Sequence, residues 1–201
     1  MLPIVYRMKS FYLFSLLLFA SAPLFADEAI QVDRVDFNSL RDDWIQVEIE
    51  LSCHGNPSPE ARNARFVENI KIRVYLAYTR DAQARQYDYY SAEADIVIME
   101  QGDDNNVYFY LPGAIVERDQ LSTDPDFYYV EVSVNGEEQT PQKSATSSSI
   151  KNLEILNSFV SNATSGSVDN EHLLMPIYLV TGIDLGRVTD LPVFLRRDVR
   201  D

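Results

Sequence analysis

Strict alternation of apolar and polar residues over Ile45-Gln46-Val47-Glu48-Ile49-Glu50-Leu51-Ser52-Cys53 constrains this chain more than any other feature. A period of two puts every second side chain on the same face, so the segment reads as a strand with one face on a core and one in water. That is the mark of an antiparallel sheet. Ile70, Ile72, Val74 and Leu76 repeat the pattern, with Lys71, Arg73 and Tyr75 on the opposite face. Residues 30–37, 107–111 and 127–134 are further strand candidates, and 87–99 reads as two strands or one long bent one. Asn135-Gly136 after Tyr129–Val134 is a hairpin signal, because both residues tolerate the positive φ that a tight turn needs. It implies a partner strand near 137–142.

About seven strands separated by turn signals, with no helical period between them, predict a mainly β fold: an immunoglobulin-like antiparallel β-sandwich over 27–142. A β-barrel is the alternative. Cys53 is the only cysteine, so no intrachain disulfide forms, and its phase with Ile45, Val47, Ile49 and Leu51 places it on the buried face. The character changes after Pro141. Ser144–Ser149 reads as a polar linker. Ile150, Leu153, Leu156 and Val160, widened by Ile155 and Phe159, form a helical stripe over about 149–161 that Asn152 and Asn157 interrupt. Edge strands are expected at 173–180 and 191–195. This C-terminal extension, residues 143–201, is apolar enough to pack on the sandwich or on a neighbouring subunit, which leaves a homo-oligomer open.

Residues 1–26 have the layout of a secretory signal peptide. Arg7 and Lys9 precede the apolar run Phe11–Ala20, which is too short to span a bilayer comfortably, and small residues lead to a cleavage site after Ala26. The 201-residue chain has a formal charge of −14; removing two cations and no anions with residues 1–26 leaves 175 residues and −16. The mature form is therefore expected to be exported, to the periplasm or the cell surface, without spanning the membrane. An acidic surface excludes the counterion-releasing contacts that nucleic acid requires. It equally disfavours docking on an anionic bilayer.

No nucleophile motif is present. His54 and His172 are the only histidines; Cys53 and His54, as neighbours on a strand, point to opposite faces. No catalytic residue is assigned, and a periplasmic hydrolase is the least favoured reading. The oxygen-rich segments Gly102-Asp103-Asp104-Asn105-Asn106 and Thr123-Asp124-Pro125-Asp126 lack EF-hand spacing and read as turns, so no metal or cofactor is expected. Tyrosine stands out instead. Ten tyrosines follow residue 26, seven of them between Tyr87 and Tyr129. By alternation Tyr75 faces outward, Tyr87 and Tyr89 share a face, and Tyr108 and Tyr110 lie opposite Val107, Phe109 and Leu111. Such rings suit a binding surface for proteins or glycans. They suit cross-strand ladders, or a surface covered by the chain's own 150–180 segment, slightly better. Tyr75, Tyr87, Tyr89, Tyr108 and Tyr110 are the candidate binding residues.

The stretch Asp42-Asp43-Trp44-Ile45-Gln46-Val47-Glu48-Ile49, followed by Asn56-Pro57-Ser58-Pro59-Glu60-Ala61-Arg62-Asn63 and Phe66-Val67-Glu68-Asn69, resembles a group of exported bacterial proteins. Their genes accompany type IV-pilus-type assembly clusters. The resemblance spans about residues 33–80, and it implies an immunoglobulin-like fold and a non-enzymatic structural or adaptor role among envelope or pilus-assembly proteins. A pilin keeps its apolar segment after cleavage. Here the expected cut follows that segment, which implies an accessory protein.

Overall fold

A computed structural model describes residues 28–182 and 184–196; the expected signal segment lies outside them. The alternating segments form strands that pair antiparallel in two sheets. The first contains β1 (Ile30–Ser39), β2 (Ile45–Cys53), β5 (Asp104–Leu111) and β8 (Met175–Pro176), in the order β1-β2-β5-β8. The second contains β3 (Phe66–Asp81), β4 (Gln86–Glu100), β6 (Phe127–Val134), β7 (Glu137–Glu138) and β9 (Val193–Leu195), in the order β7-β6-β3-β4-β9. Strand β5 returns beside β2 and β6 returns beside β3, the Greek-key route of an immunoglobulin-like sandwich.

The inner faces meet as the period-two pattern requires. Val47, Ile49 and Leu51 of β2 and Val107, Phe109 and Leu111 of β5 lie in one fully buried cluster with Ile72, Val74 and Leu76 of β3 and Val130 of β6. Burying each such side chain is worth about 1.5–3 kcal/mol, which makes this cluster the principal source of cohesion. Cys53 joins it as a free, buried thiol, and burial raises its pKa. Two phase breaks are accommodated by irregularities. In β1 the register shifts between Val32 and Arg34, so the inward set passes from Ile30 and Val32 to Val35 and Phe37. In β3, Asn69 adopts φ +54°, and the buried set passes from Val67 to Ile70.

Of the two readings of 87–99, the single long strand holds, over Gln86–Glu100. Several expectations need correction in detail. Asp104–Asn106 begin β5 instead of lying in a turn. A short helix, α1 (Gly113–Asp119), follows Pro112 where no helical period was expected. Seven residues are too few to display one. A Cβ on Gly113 would sit 1.9 Å from the Asp42 carbonyl oxygen, so only glycine allows the start of α1 to lie against the 41–43 turn. The strand expected near 137–142 pairs over two residues only. Beyond them the Gln139 and Gln142 side chains turn to the free edge of β1: Gln139 Nε2 and Gln142 Nε2 donate to the Ile30 carbonyl at 2.7 and 2.9 Å. Their Oε1 atoms accept from the Ile30 and Val32 amides at 3.1 and 2.7 Å. Two carboxamides thus do the work of a neighbouring strand and close an edge that would otherwise template association.

The extension begins as a seated strap: Ala145 is buried, Thr146 forms a bridge with Tyr129, and the Ser147 amide donates to the Tyr128 carbonyl at 3.0 Å. Helix α2 runs Leu153–Gly166, later than the sequence pattern suggests, because Asn152 is its N-cap, accepting from the Ile155 amide at 2.9 Å. Its buried face is Leu156, Phe159 and Ala163; Leu153 is 62% exposed. The segment 173–180 pairs with β5 only at Met175–Pro176 and then turns as a 3-10 helix over Ile177–Leu179. Pro176 lacks the N–H that would continue a ladder. The extension therefore lends one edge strand to each sheet, β8 beside β5 and β9 beside β4.

Candidate functional site

The outward faces of both sheets carry the tyrosines singled out in the sequence, and the extension reaches both. On the first sheet, Tyr108 and Tyr110 are 0% exposed. Ile177, Val180, Leu185 and Val188 pack over them. Tyr108 Oη donates to Glu48 Oε1 at 3.0 Å and accepts from the Thr189 amide at 3.3 Å. Tyr110 Oη donates to the Leu185 carbonyl at 3.2 Å and accepts from Gln46 Nε2 at 3.1 Å, while Gln46 Nε2 also reaches the Leu185 carbonyl at 2.9 Å. Burial raises the pKa of both phenols. These two rings point away from the sandwich core, as alternation demands, yet they are structural anchors for the strap and offer no exposed platform.

On the second sheet, Tyr75 is also buried, at 3% exposure, beneath α2. Its ring stacks on Tyr129 with centroids 6.2 Å apart and planes 3° from parallel. Its hydroxyl accepts from Arg73 Nη1 and donates to Glu131 Oε2, both at 3.4 Å. Arg73 binds Glu93 at 2.8 Å and Glu131 at 3.5 Å, and Lys71 binds Glu93 at 3.0 Å. Burial works to raise the Glu93 carboxyl, but hydrogen bonds from Arg73 and Lys71 outweigh it and hold the group below its ordinary range. Glu131 goes the other way. Burial, reinforced by repulsion from Glu138, raises its pKa although Arg73 pulls against it. The charged end of this sheet is thus largely neutralised within itself.

Tyr87 and Tyr89 are placed differently. Both are half-buried and share one face, as alternation predicts, with ring centroids 6.1 Å apart. Tyr87 meets Phe127 edge-on at 5.6 Å, and Phe127 and Tyr89 meet Phe159 of α2 at 6.1 and 6.5 Å. Between these rings and α2 lies an open cleft of about 550 Å³. Its floor is Ala77, Tyr87, Tyr89 and Phe127, and its far wall is Asn152, Glu154, Ile155, Ser158, Phe159 and Asn162. Gly166 fixes how closely the end of α2 approaches the floor, since a Cβ there would lie 2.5 Å from Tyr89 Cδ2.

Of the five tyrosines proposed from the sequence, the structure brings Tyr87 and Tyr89 to the cleft and puts Tyr75, Tyr108 and Tyr110 under cover. Glu154, Ser158, Asn162, Phe127 and Phe159 were not singled out as site residues. The spacing of Glu154, Ser158 and Asn162, four residues apart, was the signal that would have marked a shared polar face. His54 and His172 are both exposed, and His172 contacts Glu171 at 3.5 Å. Among the described residues no cluster of three or more His, Cys, Asp or Glu has the disposition of a metal site. Nor, among them, is any helix long and apolar enough to cross a membrane.

Fold and cleft together describe an immunoglobulin-like sandwich with an aromatic groove under an appended helix. No protein-family model matches the chain, and comparison with curated proteins finds no significant relative. The chain is similar to a protein from Akkermansia muciniphila of known crystal structure, with a TM-score of 0.53 and 16% identity. The alignment covers 84% of this chain and 93% of the other. At that identity the likeness establishes a shared fold.

Proposed function

We propose that the chain acts after export, in the periplasm or at the cell surface, as a non-catalytic structural or adaptor component of a type IV-pilus-like or other cell-surface assembly. The observation that carries this reading is the architecture: an immunoglobulin-like sandwich whose C-terminal extension strands β8 and β9 add an outer strand to each sheet, leaving a self-contained unit. Sandwiches of this kind commonly serve as interaction modules, an argument from fold. The stretches 42–49, 56–63 and 66–69 add the resemblance to proteins encoded beside pilus-type assembly clusters, and the Akkermansia fold is compatible with it. The partners are then envelope or pilus-assembly proteins.

In vivo crosslinking of the full chain in its native envelope, followed by mass spectrometry, tests this. Stoichiometric recovery of pilus-type assembly proteins, with loss of surface filaments on deletion of the gene, is the expected result. A chain that crosslinks to nothing and whose deletion leaves filaments and envelope assemblies intact overturns it.

A further inference from the structure

The cleft beneath α2 combines two walls of opposite chemistry. Its floor is aromatic: Tyr87 and Phe127 are near-perpendicular neighbours, so one offers its face where the other offers its edge. Its other wall carries Glu154, Ser158 and Asn162, spaced i, i+4 and i+8 and therefore about 6 Å apart along one side of the helix. All three are exposed, and none of the three side chains has a hydrogen-bond partner among the described residues. A carboxylate accepts only, an amide donates and accepts, and a hydroxyl does both, so the row can satisfy either sense of an O–H or N–H bond. Volume is no obstacle, since small-ligand clefts run to about 300–1,000 Å³.

The geometry points to a neutral saccharide as the occupant, a pyranose lying on the Tyr87–Phe127 floor with its hydroxyl edge toward Glu154, Ser158 and Asn162. A pyranose has one face of C–H groups and a rim of hydroxyls, which is the complement of one aromatic wall and one polar wall. Charge narrows the class further. Among the described residues lining the cleft Glu154 is the only carboxylate and none is Lys or Arg, and the whole chain is at −14, so no cation there receives a sialic acid, uronate or sulfate. A proline-rich peptide would use the rings and offer carbonyls to Ser158 and Asn162, but its prolines have no N–H to pair with the Glu154 carboxylate. This site does not depend on the adaptor reading: an assembly component with a glycan groove would couple the assembly to a polysaccharide surface.

The test uses the full mature chain on an array of neutral, sialylated and sulfated oligosaccharides printed beside proline-rich peptides, with hits measured by calorimetry. Binding to one or more neutral oligosaccharides is expected. Tyr87→Ala should weaken it about tenfold or more, as truncation of an aromatic anchor does, and Ser158→Ala should weaken it less. Tyr87→Phe, which keeps the ring, should bind nearly as the wild type, and this separates loss of stacking from loss of fold. Overturning results are binding confined to anionic glycans or to the peptides, no binding at all, or neutral-glycan binding that survives Tyr87→Ala in a variant whose melting temperature is unchanged. Crosslinking that recovers assembly partners while the array is blank would remove the saccharide and leave the adaptor role standing.

Discussion

The two sheets present tyrosines outward in the same way, but the chain covers them by different means. Over the first sheet, the described residues of 177–182 and 184–190 have no regular structure apart from the 3-10 turn at Ile177–Leu179. Without a helix's own hydrogen-bond ladder, the backbone lends groups to the sheet: the Leu185 carbonyl accepts from Tyr110 Oη and Gln46 Nε2, and the Thr189 amide donates to Tyr108 Oη. The cover closes. Over the second sheet, α2 satisfies its own backbone and buries Leu156, Phe159 and Ala163 against the sheet, with Gly166 close to Tyr89. A cylinder laid on a twisted surface makes contact along a line, so a groove remains beside it, floored by Tyr87 and Phe127. An irregular segment can seal a face that a helix leaves open, and here the open face is the one with binding potential.

Breaking the helical cover should cost most. Leu156→Ala removes a buried side chain from the α2 contact and is expected to destabilise the protein by about 3 kcal/mol in chemical denaturation. Its amide exchange should show α2 fraying before the sandwich. Gly166→Ala comes next, at about 1–3 kcal/mol, because the added methyl must displace the Tyr89 ring. If it costs nothing, α2 does not sit against β4 as described.

Breaking the strap is a polar experiment and a smaller one. Tyr110→Phe leaves Leu185 and Gln46 bonded to each other and should cost about 1 kcal/mol, the ordinary worth of one buried hydrogen bond. Smallest is the effect of Glu131. Its folded pKa is raised, so the folded protein holds that proton more tightly, and stability from this group falls as pH rises through the window from the unfolded to the folded pKa. Glu131→Gln should therefore unfold at slightly higher denaturant than the wild type at pH 7, and the gain should vanish below the unfolded carboxyl pKa. Glu93, with a lowered pKa, has the opposite sign: its contribution is present above the unfolded pKa and is lost as pH falls through the folded one. A Glu131→Gln gain that grows on acidification would contradict the assignment.

Much of the sandwich was legible because β2 alternates without a break and Asn135-Gly136 marks a turn. Legibility failed where phase is interrupted for a structural reason, at the irregularity between Val32 and Arg34 and at Asn69. It failed again at α2, where Asn152 looks like a polar intruder on a stripe and is in fact the cap that starts the helix. The site was half legible. Alternation correctly sent Tyr75, Tyr108 and Tyr110 away from the sandwich core, and the favoured reading, cover by the chain's own 150–180 segment, agrees with α2 over Tyr75 and with Ile177 and Val180 over Tyr108 and Tyr110; a period-two pattern does not show which tyrosines that cover leaves open. Tyr87 and Tyr89 remain partly open because α2 covers them only in part, its end set against Tyr89 at Gly166, which no local pattern in β4 contains.

The central claim is that the extension folds back on its own chain and leaves the tyrosines in two populations. Limited nitration of the native protein, with each modified tyrosine located by mass spectrometry, tests it directly. Tyr87 should be modified early, while Tyr75, Tyr108 and Tyr110 stay protected until the protein unfolds. Modification of Tyr108 and Tyr110 at the rate of Tyr87 in folded protein would contradict the account.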